Sequence, residues 1–109
     1  MTETTTMTAS TKKGYIIATV SVTDLVQMGK YREVSTRAMQ EHNAEVLVRG
    51  GAMQVLEGDW SPERVIVLAF DSVEKAKAFH YSETYQAAKE IRKDAGVMRM
   101  IVVEGVWLK

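Results

Sequence analysis

The chain has 109 residues, is 46% hydrophobic and 26% charged, and balances 14 basic against 14 acidic side chains. That length accommodates one domain, and the charge balance argues against nucleic acid as a partner, since phosphate binding needs a basic excess or stripe. The absence of cysteine excludes disulfides and thiolate metal sites and suits a cytoplasmic location, while no apolar run reaches the 18 residues of a membrane span.

In chain order, residues 1–13, MTETTTMTASTKK, carry six threonines and no continuous apolar stretch. They read as a disordered tail rather than a signal peptide. Residues 14–22, GYIIATVSV, are β-branched and aromatic, the composition of a strand. Thr23-Asp24 offers a helix cap. Met28, Tyr31, Ser35, Ala38 and His42 then recur at spacings of 3 and 4, which marks one face of a helix. Gly29 weakens its first turn by about 1 kcal/mol relative to alanine. Asn43 can take the left-handed conformation that ends it.

Residues 44–57, AEVLVRGGAMQVLE, read as a strand interrupted at Gly50-Gly51 by a bulge or bend. The turn GDWSP closes a hairpin, and a further strand spans 63–70. Asp71 or Ser72 caps a second helix, with Glu74 spaced for a capping box behind Asp71. Its apolar positions are Val73, Ala76 and Phe79. Ser82 reads as a fresh cap, so the helix breaks there and resumes through Tyr85, Ala88, Ile91 and Ala95 until Gly96. Residues 97–106 form the last strand and 107–109 a short tail. The predicted domain is therefore residues 14–106, ordered β-α-β-β-α-β. This is an α+β, ferredoxin-like arrangement: a four-stranded antiparallel sheet with both helices on one face.

One strand is too apolar for such a sheet. In Arg64–Phe70, RVIVLAF, Ile66, Leu68 and Phe70 point one way, and Val65, Val67 and Ala69 the other. Tyr15 and Ile17 join the second set, with either Met98, Met100 and Val102 or Ile101 and Val103 from the last strand. An open apolar face of several hundred Å2 exceeds what a soluble monomer tolerates. At roughly 25 cal/mol per Å2, covering it is worth on the order of 10 kcal/mol before association costs. A second copy of the chain, packed sheet to sheet about a two-fold axis, is the expected cover.

Several segments, KGYIIATVSVTD, VLVRGGAMQVLEGDW, RVIVLAFDSVEKAKAF, YSETYQAAKEIR and IVVEGV, resemble the family called domain of unknown function 1330 over about residues 13–106. The resemblance rests on Arg49-Gly50-Gly51, Leu56-Glu57-Gly58 and Ser82-Glu83-Thr84-Tyr85-Gln86 in that order. It implies the dimeric α/β-barrel superfamily and so a homodimer. Superfamily relatives include cofactor-independent monooxygenases, lactone isomerases, polyketide cyclases and haem-binding enzymes, and fold alone does not choose among them. Three positions depart from the family pattern. Glu83 stands where proline is usual, His42-Asn43 where tyrosine-glycine is usual, and His80-Tyr81 where an aromatic pair is common.

Four residues are candidates for chemistry. His42 and His80 can each act as general acid or base near neutral pH; the structural alternatives are a helix C-terminal histidine and a solvated residue at a kink. Arg49 can hold a carboxylate or enolate oxygen, or pair with Glu57, Glu104 or an acid of a second chain. Tyr85 can donate to an oxyanion or be a core tyrosine. Trp60 reads as interface packing. Two histidines without a third ligand make no zinc site. Either could ligate haem, but nothing else points to one, so no cofactor is expected. Phosphate loops, serine-nucleophile elbows and metal-binding histidine pairs are all missing from the sequence. The expectation is a small homodimeric, metal-free enzyme acting on a small oxygenated compound by proton transfer or cofactor-independent oxidation. The alternative is a non-catalytic dimer binding a small molecule or a protein.

Overall fold

Four strands and three helices make up the computed structural model, which describes residues 12–107. They are β1 (Lys12–Val22), α1 (Leu25–Glu41), β2 (Glu45–Arg49), β3 (Arg64–Phe70), α2 (Val73–Tyr81), α3 (Glu83–Arg92) and β4 (Gly96–Trp107). The sheet order is β2-β3-β1-β4, and every neighbouring pair is antiparallel. This is the ferredoxin-like fold expected from the element order. Most of the predicted N-terminal tail lies outside the described residues, although Lys12 and Lys13 already belong to β1. At the other end Trp107 is still strand, and 108–109 lie outside the described residues.

Local chemistry sets the helix boundaries. The Asp24 carboxylate accepts the Gln27 N–H at 3.0 Å and starts α1. Asn43, with φ 55°, turns the chain out of it. Ser72, rather than Asp71, caps α2 by accepting the Lys75 N–H at 3.1 Å. Glu74 is therefore the second helical residue, one short of the capping-box position. Ser82 ends α2 and begins α3. Its hydroxyl donates to the Phe79 carbonyl at 2.8 Å and itself accepts the Tyr85 N–H at 3.2 Å.

The strand expected over 44–57 is shorter. It stops at Arg49, and residues 51–56 form an arm outside the sheet. Gly50, at φ +74°, makes the exit and donates its N–H to the Val65 carbonyl at 2.9 Å. The bulge lies at Leu47, where the register slips between Val46 and Val48, and not at the glycines. Strand composition continues into the arm, but among the described residues no strand pairs with it.

Register decides which side chains share a face. Ile16 pairs with Leu68 and Val102, Ala18 with Ile66 and Met100, and all of these face the helices. Ile17 pairs with Val67 and Ile101, Tyr15 with Ala69 and Val103, and these face away. The core lies between sheet and helices, built on Ile16, Leu68, Phe70, Tyr31, Phe79 and Tyr85. On the far side Val97, Ile101 and Val103 remain 62%, 58% and 41% exposed.

The start of α2 crosses β1 at Gly14, where an added Cβ would stand 2.5 Å from the Ser72 carbonyl oxygen and 2.6 Å from the Val73 Cα. Backbone on both sides leaves no flexible group to yield. Gly14→Ala is expected to destabilise the chain by about 1–3 kcal/mol, read as a lower urea midpoint with unchanged slope.

Candidate functional site

His80 occupies the last turn of α2, four residues after Ala76. Ala76 is buried on the sheet, so His80 lies on the flank of the helix nearest β4. Its ring borders a cavity of about 180 Å3 lined also by Ile16, Ala76, Tyr81, Met100 and Val102, with Lys77 and Ile101 completing the lining. The ring stands edge-on to Tyr81 at 4.8 Å and tilted on Tyr85 at 5.3 Å. Its backbone carbonyl accepts the Gln86 side-chain amide at 2.8 Å. Nδ1 is buried and has no hydrogen-bond partner. Burial first, and then the charges of Lys89 and Arg92, push the imidazole below its ordinary pKa. The neutral imidazole is therefore favoured, and His80 combines one unpaired ring nitrogen with a place in the lining of a mostly apolar cavity.

Tyr85 touches His80 through its ring but directs its hydroxyl elsewhere. It is fully buried, and its hydroxyl lies 2.9 Å from that of Tyr31 and 3.9 Å from the Met98 sulfur. Burial first, then the adjacent Tyr85, hold the Tyr31 hydroxyl far above the usual tyrosine range. The two hydroxyls are hydrogen-bonded, and were not legible as a pair in sequence, where Tyr31 reads as ordinary core. Beside it is a void of about 20 Å3, lined in part by Ser35, Arg49 and Met100, with room for about one water.

Arg49 ends β2 on the helix side of the sheet, opposite Ile66. Its Nη2 donates to the Thr36 hydroxyl at 2.8 Å. Burial first, then the charge of Arg32, push its guanidinium below the usual range; Tyr31 opposes this and Arg64 adds to it. Neither acid expected as an intrachain partner is paired with it: Glu104 pairs with Lys12 at 3.8 Å, and Glu57 lies in the turn that follows the arm.

His42 caps the C-terminus of α1 and sets its ring edge-on to Phe79 at 6.2 Å. It is not among the residues lining the His80 cavity. The four candidates thus divide: His80 and Tyr85 touch, Arg49 joins Tyr85 around the small void, and His42 reaches the others only through Phe79. Trp60 is exposed at the rim of a cleft of about 330 Å3 formed with Thr19, Pro62 and Arg99. Among the described residues no three His, Cys, Asp or Glu side chains gather at metal-binding distance, and no helix is long and apolar enough to cross a membrane.

A model of the family described as domain of unknown function (DUF1330) matches residues 13–106. No curated protein matches the chain in sequence. The fold is similar to that of a protein of unknown function from Rhodopseudomonas palustris, with a TM-score of 0.67 at 15% identity over 94% of this chain and 92% of that one. It is also similar to a dimeric protein of unknown function with a ferredoxin-like fold from Bacteroides fragilis (TM-score 0.58, 14% identity, 84% and 95% covered). A Nitrosomonas europaea protein provisionally named an antibiotic biosynthesis monooxygenase is a third likeness (TM-score 0.52, 12% identity, 88% and 91% covered). At these identities the likeness extends to fold.

Proposed function

The chain belongs to the DUF1330 family, and on that premise we propose that it works as a homodimer that takes a small, largely apolar oxygenated compound into the cavity beside His80 and removes a proton from it. The observation that carries this reading is His80 itself, with a depressed pKa and one ring nitrogen buried without a partner, among the residues that line a mostly apolar cavity. An unsatisfied buried nitrogen is costly unless a ligand donor completes it. A phenol, or a compound with an acidic C–H beside a carbonyl, supplies that donor. The proton passes to His80, and its electron pair stays on the ligand as phenolate or enolate. Lys77, on the cavity lining, carries the charge that favours such an anion.

The dimer is supported by the exposed apolar face at Val97, Ile101 and Val103, and by Met53, Val55, Leu56 and Trp60 exposed on and beside the arm. The similar Bacteroides fragilis protein is described as dimeric. Ile101 lines the cavity and belongs to the open face, so a second sheet packed there narrows the cavity's mouth.

Titration of the wild-type chain and His80→Phe with substituted phenols and β-keto acids tests the reading. Phenylalanine keeps the ring packing and removes the nitrogen. Affinity is expected to drop at least about tenfold, the worth of one buried hydrogen bond. Equal affinity in both proteins would falsify the assignment. The pH dependence has a defined sign. A depressed folded pKa means that the folded chain binds fewer protons than the unfolded chain. Stability and ligand affinity from His80 are fully present above about pH 6.5, its unfolded value, and fall as pH drops through the folded value. His80→Phe loses that dependence.

Binding without turnover is favoured by one observation. Tyr85 and Arg49 are committed to Tyr31 and Thr36, so neither stands ready beside His80. Solvent-deuterium exchange into the ligand, followed by NMR, separates the two cases: exchange abolished by His80→Phe marks catalysis, and binding without exchange marks a carrier.

A further inference from the structure

We propose that Arg32, Arg49 and Arg64 form a carboxylate-binding site at the end of the sheet remote from His80. The three side chains come from different elements. Arg32 follows Tyr31 on α1, Arg49 ends β2, and Arg64 opens β3 opposite Val20. All three line one depression of about 30 Å3, whose apolar floor includes Val20, Met28, Ile66 and Met98. It shares no lining residue with the His80 cavity.

The arrangement lacks its counter-charge. Among the described residues the ion pairs all use lysines: Lys12 with Glu104, Lys13 with Glu45, and Lys75 with Asp71. Arg49 spends one nitrogen on the neutral Thr36 hydroxyl, and the Arg64 guanidinium lies over Gly50, filling the space that a Cβ there would take. Like charges drawn together around one depression repel, and the Arg49 guanidinium is pushed down first by burial and then by the charge of Arg32, with Arg64 adding to it. An anion relieves the repulsion. Planar guanidinium forks match the two oxygens of a carboxylate, and the floor of valine, isoleucine and methionine suits a hydrocarbon body. The depression holds a head group only, so the rest of the molecule lies outside it. The carboxylate comes from a free apolar acid or from Glu57 or Asp59, in the turn after the arm, of a second copy; both present the same chemistry.

The site rests on the arginines and stands whether or not His80 binds anything. The test titrates the full chain with hexanoate, benzoate and inorganic phosphate, read by calorimetry and thermal shift, in wild type, R49Q, R64Q, E57Q/D59N and His80→Phe. Apolar carboxylates are expected to raise Tm and bind at least tenfold tighter than phosphate. R49Q and R64Q weaken them at least tenfold, and His80→Phe leaves them unchanged. Without ligand, R64Q melts no lower than wild type, because repulsion is reduced; a purely structural arginine would show the reverse. Should carboxylates bind only to E57Q/D59N, while R49Q loosens the wild-type dimer, that turn of a second copy supplies the carboxylate and the site stands. Unaltered binding in R49Q and R64Q, or no response in any of the proteins, overturns it.

Discussion

Ile101→Asp is expected to leave a folded monomer at concentrations where the wild-type chain sediments as a dimer. In the protomer Ile101 is 58% exposed, opposite Ile17 on the uncovered face, so aspartate there barely disturbs the fold. In a sheet-to-sheet dimer each copy instead buries an unpaired carboxylate, at a cost of several kcal/mol, and the two-fold axis repeats it. A total of about 4 kcal/mol or more raises Kd at least about 1,000-fold. Sedimentation velocity across micromolar concentrations reads this directly. Because Ile101 also lines the His80 cavity, Val103→Asp, on the same face but not among the lining residues, is the companion variant. Leu25→Asp is the control. Leu25 is 80% exposed but lies on α1, behind the sheet, and should leave the dimer intact. A wild-type chain that sediments as a monomer, or an Ile101→Asp dimer as tight as wild type, would remove the sheet face as the interface.

The second large effect lies in the core. Tyr85→Ala is expected to cost about 3–5 kcal/mol, the range for deleting a buried aromatic ring, and so a third or more of a typical domain's stability. The ring is fully buried and packs on Phe79 at 5.0 Å, on His80 at 5.3 Å and edge-on to Tyr31 at 6.1 Å. Tyr85→Phe keeps those contacts and removes only the bond to the Tyr31 hydroxyl. About 0.5–1.5 kcal/mol is expected from that loss, softened by the Met98 sulfur 3.8 Å from Tyr31. Urea unfolding of the two variants separates packing from hydrogen bonding. Ligand exchange in Tyr85→Phe should match wild type, because the hydroxyl faces Tyr31 and not the His80 cavity. Lost exchange at undiminished stability would instead make Tyr85 a catalytic residue.

The two substitutions probe opposite faces of one sheet, and the open face would tie the proposed chemistry to the proposed dimer. The lining of the His80 cavity includes Ile101 from that face. A dimer that covers Ile101 would therefore also reduce the water that reaches His80, and a neutral imidazole accepts a stronger hydrogen bond from a ligand where water does not compete. The arginine depression lies at the other end of the seam between helices and sheet. Between the two ends is the small void lined by Tyr31, Arg49, Tyr85, Met98 and Met100. The methionines there are flexible enough to re-pack around a ligand.

Features under local chemical control are legible along the chain. Strand composition and the 3-and-4 spacing placed both helical regions. Asp24 and Ser82 marked caps because a short oxygen-bearing side chain reaches its own backbone, and Asn43 marked a stop because it tolerates positive φ. The two apolar faces of Arg64–Phe70 were legible for the same reason: alternation belongs to the strand alone. Tertiary structure decided everything that needed a neighbour. The choice between Met98, Met100 and Val102 or Ile101 and Val103 for the open face required the pairing with β1, since a slip of one residue exchanges the faces. Residues 51–56 carry strand composition but leave the sheet, because a strand exists only where another backbone supplies its hydrogen bonds. The bond between Tyr31 and Tyr85, the empty nitrogen of His80 and the meeting of three arginines join residues far apart in the chain. Such contacts follow from how helices and strands settle against one another, and no spacing along the chain encodes them.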